Sequence, residues 1–135
     1  MKKLLFNTKS ISLDISLLIL RIASGAMIMT HGWPKLSSYA SRAESFRDPL
    51  GLGSSALSLQ MAIFAEFFCA ILLILGLFTR LATIPLMIAM AVIALIVHAD
   101  DGWSRQELPL LYLASFMAIF FAGPGKFSLD SKLGK

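Results

Sequence analysis

The stretch LLILRIASGAMIM, Leu17 to Met29, decides the fold. It is apolar enough to belong to a bilayer-crossing helix, yet it carries Arg21 near its middle. A charged side chain at the centre of such a helix costs roughly 2.5–3.5 kcal/mol on insertion scales, and it characteristically faces the bundle interior, pairs with another group and marks a functional site. Lys2, Lys3 and the small residues Ser24-Gly25-Ala26 imitate a cleaved leader. Arg21 inside the apolar run, and the continuation of that run beyond it, speak against one. The reading turns on what else in the chain answers Arg21.

The whole composition agrees with a membrane protein. Of 135 residues, 57% are hydrophobic, more than a single water-facing fold of this length can bury. The single cysteine, Cys69, excludes an internal disulfide framework and any Cys-rich zinc or iron–sulfur site. No CxxCH, GxGxxG or GxxxxGK[ST] motif occurs, so c-type haem attachment and the common nucleotide-binding loops have no support. The net charge of +4 is scattered over short loops, which fits membrane topology and gives no nucleic-acid surface.

Four apolar segments stand out, at about 13–31, 57–78, 81–98 and 107–122. They predict an all-α integral membrane four-helix bundle built as one domain over residues 1–135. Gly32 and Pro34 are read as ending the first span, Thr79 and Arg80 as a tight turn, ADDGWSRQE as a polar turn, and Gly123-Pro124 as the stop of the last helix. The N-terminus, the Arg80 turn and the C-terminus then share one side, with Lys2, Lys3, Lys9, Arg80, Lys126, Lys132 and Lys135. Lys35, Arg42, Arg47 and Arg105 lie on the other, so the bias of Lys and Arg toward the inside predicts both termini in the cytoplasm. Residues 37–46 are compatible with a short surface helix, and KFSLDSKLGK with a mobile tail.

If the first span ends at His31, Arg21 lies roughly 15 Å from that end, and Glu66 lies roughly 13–14 Å from the same end on the second span. An Arg21–Glu66 pair in the bundle core follows as the expected compensation. A buried pair is weak support for stability, which favours a functional role over mere helix orientation. One face reads Arg21, Ser24, Gly25, Ile28 and Gly32, with His31 at its border, and the other Ala62, Glu66, Cys69, Ala70 and Leu73, and the small residues beside each charge let helices approach closely in lipid. Cys69 is read as a packing residue. Nearer the outer surface lie His31, His98 and Glu107, flanked by Trp33 and Trp103. Small-residue stripes through Met87, Ala91, Ala94 and His98, and through Glu107, Leu110, Leu111, Ala114 and Ala118, predict a cavity that is narrow at the midplane and opens outward. Plainer readings stand beside these. The tryptophans serve as interfacial anchors, and Ser104 to Glu107 is a capping box. The histidines could ligate one b-type haem, which purified protein that stays colourless on reduction would oppose. They could also hold a metal together with Glu107, although no residue is assigned to a metal.

LLILRIASGAMIMTHGWPKL, AIFAEFFCAILLILGLFTRLA and the ending GPGKFSLD resemble the DoxX family of small four-helix bacterial membrane proteins. The resemblance runs from about Leu13 to Asp130 and excludes 37–55. It implies the bacterial inner membrane, association with quinone-linked oxidoreductases, and functional positions at Arg21, Glu66, His31, Gly32 and Lys35. A quinone is apolar, with carbonyl oxygens that gain charge and protons on reduction. A guanidinium can stabilise that charge, and carboxylates and histidines can relay protons. The expectation is a quinone-linked redox subunit. Arg21 and Glu66 act at the quinone, with Gly25, Trp33 and Lys35 lining the site, and His31, His98 and Glu107 lead to the outside. The alternative is a non-enzymatic membrane scaffold or small carrier for a partner oxidoreductase or an apolar ligand, and a homo-oligomer is a further candidate partner state.

Overall fold

The computed structural model describes residues 1–134, and among these no strand occurs. Lys135, counted above with the cytoplasmic charges, lies outside the described residues. Four long helices dominate: α1 (Leu13–Ser37), α2 (Ser55–Leu75), α3 (Thr79–Val97) and α4 (Trp103–Ala122). The first three are long and apolar enough to cross a membrane.

Local chemistry sets their ends. Ser12 Oγ accepts from the Ile15 N–H at 3.3 Å and Ser54 Oγ from the Leu57 N–H at 3.2 Å, which supplies α1 and α2 with N-caps. Gly76, left-handed at φ 68°, ends α2. Phe78, at φ 48°, sits in a region that a bulky residue rarely occupies. Its N–H and that of Thr79 both donate to the Asp130 carboxylate, at 2.7 and 2.8 Å, so α3 is capped from the far end of the chain. Gly102, not Ser104, is the N-cap of α4, and the capping box read from Ser104 to Glu107 is not made.

Pro34 does not stop α1, which continues to Ser37 with Pro34 inside it. A proline forfeits one backbone hydrogen bond, and membrane helices accommodate the loss. The KFSLDSKLGK segment is not a loose tail either. Its backbone is fastened to α1 and to the α2–α3 turn, and Leu129–Leu133 forms a short helix. Between α1 and α2, only Tyr39–Arg42 of the predicted surface helix is helical.

The helices pack as a ring in chain order. α1 touches α2 and α4, and α3 touches the same two. One end of the bundle gathers the N-terminal segment, the α2–α3 turn and the C-terminal segment, and is called here the terminal end. The other gathers residues 38–54 and 98–102, the loop end. The core runs through Ile28, Leu73, Leu86, Met90, Phe116 and Ile119. Around it Ile19, Ile88, Leu111 and Phe121 are more than half exposed, an apolar outer surface suited to lipid.

The predicted buried face of α1 is observed: Arg21, Ser24, Gly25, Ile28 and Gly32 are all buried. So is that of α2, with Glu66, Cys69, Ala70 and Leu73. On α3 the core face runs through Ala82, Thr83, Leu86, Met90 and Ala94, and Met87 and Ala91 stand at its border. On α4 the predicted stripe is turned outward. Glu107, Leu111, Ala114 and Ala118 are exposed, and Pro109, Tyr112, Phe116 and Ile119 fill the core. Large side chains at i, i+3 and i+4 won that face because the space between α1 and α3 has to be filled.

Candidate functional site

The sequence reading set Arg21 against Glu66, and the structure separates them. Gly32 of α1 lies against Glu66: a Cβ built on Gly32 would come within 2.6 Å of the Glu66 backbone carbonyl. Gly25 lies against Ala70 and Ile74, and the Arg21 guanidinium lies against Gly76. The depth argument failed at one point, the assumed end of α1 at His31. Measured from Ser37, Arg21 lies about 24 Å along α1, whereas Glu66 lies only about 16 Å from Ser55.

Each charge has found another answer. Arg21, 1% exposed, donates from Nη1 to the Pro124 carbonyl at 2.6 Å and from Nη2 to the Phe127 carbonyl at 2.8 Å. It is thus a clasp that holds the C-terminal segment in the terminal end. Around it Lys126 N–H donates to Asp14 at 2.8 Å, and Arg80 Nε to the Phe120 carbonyl at 3.0 Å. Partial burial resists ionisation of Asp130, but the Thr79 and Phe78 hydrogen bonds and the nearby Arg21 charge outweigh it and hold the carboxyl below its ordinary value.

Glu66, also 1% exposed, pairs with Lys35, whose ammonium additionally donates to the His31 carbonyl at 3.2 Å. Lys35 reaches it from the last turns of α1, the part of the helix beyond Pro34 that was not expected to exist. Glu66 belongs to a π-helical segment, Phe64–Cys69, and α3 has a second one at Ile93–Val97. Such wide turns recur at functional sites.

This ion pair forms part of the wall of a cavity of about 980 Å³ in the loop-end half of the bundle. Both π-helical segments line it, as do His31, His98 and Tyr112. His31 and Tyr112 meet edge to face with ring centroids 6.3 Å apart, and Tyr112 stacks on Phe116 at 5.9 Å. His98 Nδ1 lies 2.7 Å from an Asp101 carboxylate oxygen. That bond, more than any other contact, holds the Asp101 carboxyl below its ordinary value. Among the described residues, no three His, Cys, Asp or Glu side chains gather as a metal-binding group, and Glu107 is not in the cavity wall.

Residues 46–52 close the loop end. Asp48 accepts from the Leu52 N–H at 3.0 Å, the Gly53 N–H at 2.9 Å and Ser58 Oγ at 2.8 Å. The Leu52 bond, with Ser58 next, keeps its carboxyl below the ordinary range. Arg47 Nη1 donates to the Val97 carbonyl at 2.9 Å, tying this loop to the end of α3. Trp33 is 57% exposed and packs on Phe67 at 5.9 Å, and Trp103 is 66% exposed, as interfacial anchors would be.

The expected site therefore divides. Glu66, Lys35, His31 and His98 share the cavity. Arg21 and Gly25 serve the terminal-end clasp and the α1–α2 contact. Glu107 and Trp33 lie outside. Sequence reasoning missed Tyr112, Arg47 and Asp130. Only Tyr112 left a signal, the spacing of Pro109, Tyr112, Phe116 and Ile119.

Comparison with known proteins places this architecture. Two uncharacterised proteins of Haemophilus influenzae are similar along almost their whole length. One is 29% identical over 94% of this chain and 89% of its own, the other 34% identical over 88% and 91%. The Escherichia coli inner membrane protein YqjF is 24% identical over 90% of this chain and 95% of its own. No solved structure matches. The DoxX family matches residues 16–99, which contain all but the first turn of α1, the whole of α2 and α3, and with them Arg21, Lys35 and Glu66. With its three apolar helices the chain is a multi-pass protein of the bacterial inner membrane, and it belongs to the DoxX family.

Proposed function

We propose that the chain is a four-span subunit that binds quinone in its loop-end cavity and serves a partner oxidoreductase. α4 is the fourth span, and the terminal end faces the cytoplasm, where the larger share of Lys and Arg lies. The cavity then occupies the outer half of the membrane. The observation that carries the reading is an apolar cavity of small-molecule size whose wall holds an ion pair, Lys35–Glu66, with the carboxylate buried and the ammonium partly exposed. Sites for apolar ligands are mostly hydrophobic, of roughly 300–1,000 Å³, with few polar groups placed to orient the ligand.

Bound there, a quinone would supply a two-electron, two-proton acceptor. Lys35 offers ammonium N–H groups to a carbonyl oxygen and stabilises charge that develops on it. Glu66 fixes Lys35 against the wall. His31 and His98, toward the loop end, carry protons between this pair and the outside. Arg21, given that role on sequence grounds, has none at the quinone, because it sits at the other end of α1. Electrons come from the partner subunit.

Thermal unfolding in mild detergent tests this, with a soluble ubiquinone or menaquinone analogue. A dose-dependent rise of Tm in wild type and in Arg21→Gln, lost in Glu66→Gln and Lys35→Gln at matched folded fraction, is the expected result. No rise in wild type would overturn the quinone reading and leave the scaffold or carrier alternative.

A further inference from the structure

The cavity has a side mouth. The inner part of α2, Phe64 to Leu75, packs on α3, but among the described residues its loop-end part, Ser55–Ile63, makes no substantial contact with α3. The two helices part toward the loop end, and the cavity lies in the gap. Leu57, Met61 and Phe64 form one lip, at spacings of four and three residues. Ile88 and Val92 form the other. These residues line the cavity and also face outward: Met61 is 47% exposed, Phe64 53% and Ile88 55%. Ile88 stands midway along α3, so the gap begins near the bilayer midplane. Pro85, just inside it, removes one hydrogen bond of α3 where the helices separate. The loop end, by contrast, is covered by residues 46–52 and pinned by Arg47.

We infer that the ligand reaches the cavity sideways from the bilayer, through the gap between Met61 and Ile88, and that its isoprenoid tail stays in that gap while its head meets Lys35–Glu66. This rests on the quinone reading and adds the route and the tail. The chemistry assigns each end. Among the described residues, the one ion pair with both partners in the wall, Lys35–Glu66, lies where α1 meets α2, and there a carbonyl-bearing head finds hydrogen-bond donors. Both lips of the mouth are aliphatic or aromatic and offer a chain nothing but apolar contact. A ligand without a tail would leave the lips exposed to lipid with no gain in binding.

Met61→Trp and Ile88→Trp fill the mouth at lipid-facing positions that need not disturb folding, which unfolding curves verify. Ile19→Trp, on the exposed face of α1 away from the cavity, is the control. Equilibrium binding and entry rate of a tail-less quinone and of one with several isoprene units are measured in nanodiscs for each protein, and comparison between proteins cancels the partitioning of each quinone into lipid. The expected result is about tenfold weaker equilibrium binding of the tailed quinone to the two mouth variants and slower entry of both quinones, with the equilibrium affinity of the tail-less quinone and both readouts of Ile19→Trp unchanged. Tailed affinity and entry rate unaffected by either mouth variant, while wild type binds both quinones, would overturn the side route and the tail position alone. Failure of wild type to bind either quinone would overturn the quinone reading itself.

Discussion

Gly32→Ala should loosen the contact between α1 and α2 at the level of Glu66. A Cβ there would stand 2.6 Å from the Glu66 carbonyl carbon and oxygen and 2.9 Å from the Phe67 nitrogen. All three are backbone atoms, so no side chain can swing aside. Ordinary contact begins near 3.4 Å, and the helices must separate locally by about 0.8 Å. Overpacking of this kind costs about 1–3 kcal/mol. Alanine is intrinsically better than glycine in a helix by about 0.5–1 kcal/mol, which offsets part of it. The net expectation is a loss of about 1–2 kcal/mol. Gly25→Ala is the internal comparison. Its Cβ would meet Ile74 Cγ1 at 2.7 Å and the Ala70 carbonyl oxygen only at 3.2 Å. Only a side-chain atom lies under 3.0 Å, and a χ1 shift of Ile74 that moves Cγ1 costs about 0.5–1.5 kcal/mol, offset in part by alanine's helix preference, so this variant should lose less than Gly32→Ala.

The assay is reversible unfolding in mixed micelles with rising SDS, followed by tryptophan emission. Trp33 reports on the contact directly, since it neighbours Gly32 and packs on Phe67. Gly32→Ala as stable as wild type, or Gly25→Ala less stable than Gly32→Ala, would refute the register that places Gly32 against Glu66.

The ion pair is next: Lys35→Met strands Glu66 in the protein and should cost about 3–5 kcal/mol, while the double variant Lys35→Met with Glu66→Leu should recover most of that loss in the same unfolding assay. Arg21→Met removes two charge-assisted hydrogen bonds and should cost about 2–3 kcal/mol; trypsin should then cut faster at Lys126 and Lys132, while quinone binding stays as in wild type. Asp130 ionises more readily when folded, so its share of stability is fully present above its unfolded value of about 3.8 and is lost as pH falls through and below that value. Wild type should therefore lose more stability than Asp130→Asn between pH 5 and pH 3, read from Tm along a pH series.

Patterns set by one helix and its lipid surroundings could be read in the chain. The faces of α1 and α2 followed from glycines, serines and alanines beside a charge, because close helix approach in lipid demands small residues there. His31 and His98 read as a layer near the loop end together with Glu107, which the structure leaves outside the cavity wall, and Lys35 enters only through the family resemblance. What escaped depends on where an element ends and on what arrives from far along the chain. Pro34 looked like a stop, and in water it would weigh against helix continuation, but a helix held by neighbours within a membrane passes through it. Asp130 caps α3 from beyond α4, and no local pattern announces that. On α4 the choice between a small-residue stripe and the bulky face of Tyr112, Phe116 and Ile119 depends on the width of the gap to be filled, which belongs to the assembled bundle.

The extension of α1 past Pro34 changes the chemistry as well as the map. Had α1 stopped at His31, the only cation at depth would have been a guanidinium, which keeps its proton under all conditions a protein meets and can act only as a fixed charge. The added turns bring Lys35 to Glu66 instead. An ammonium can pass a proton to a neighbouring oxygen and be reprotonated by an imidazolium, so in the proposed reading Lys35 would both orient a quinone and protonate it, with Glu66 holding it in place. The guanidinium is left at the terminal end, where an unvarying charge suits a clasp on two backbone carbonyls. Lys35→Arg separates the two kinds of work: an arginine can keep a charge against Glu66 and hold the quinone, but it cannot release a proton. Quinone binding that survives Lys35→Arg alongside slowed turnover in the intact complex would assign proton transfer to Lys35. Turnover equal to wild type would reduce Lys35 to a positioning charge and move the proton path to His31.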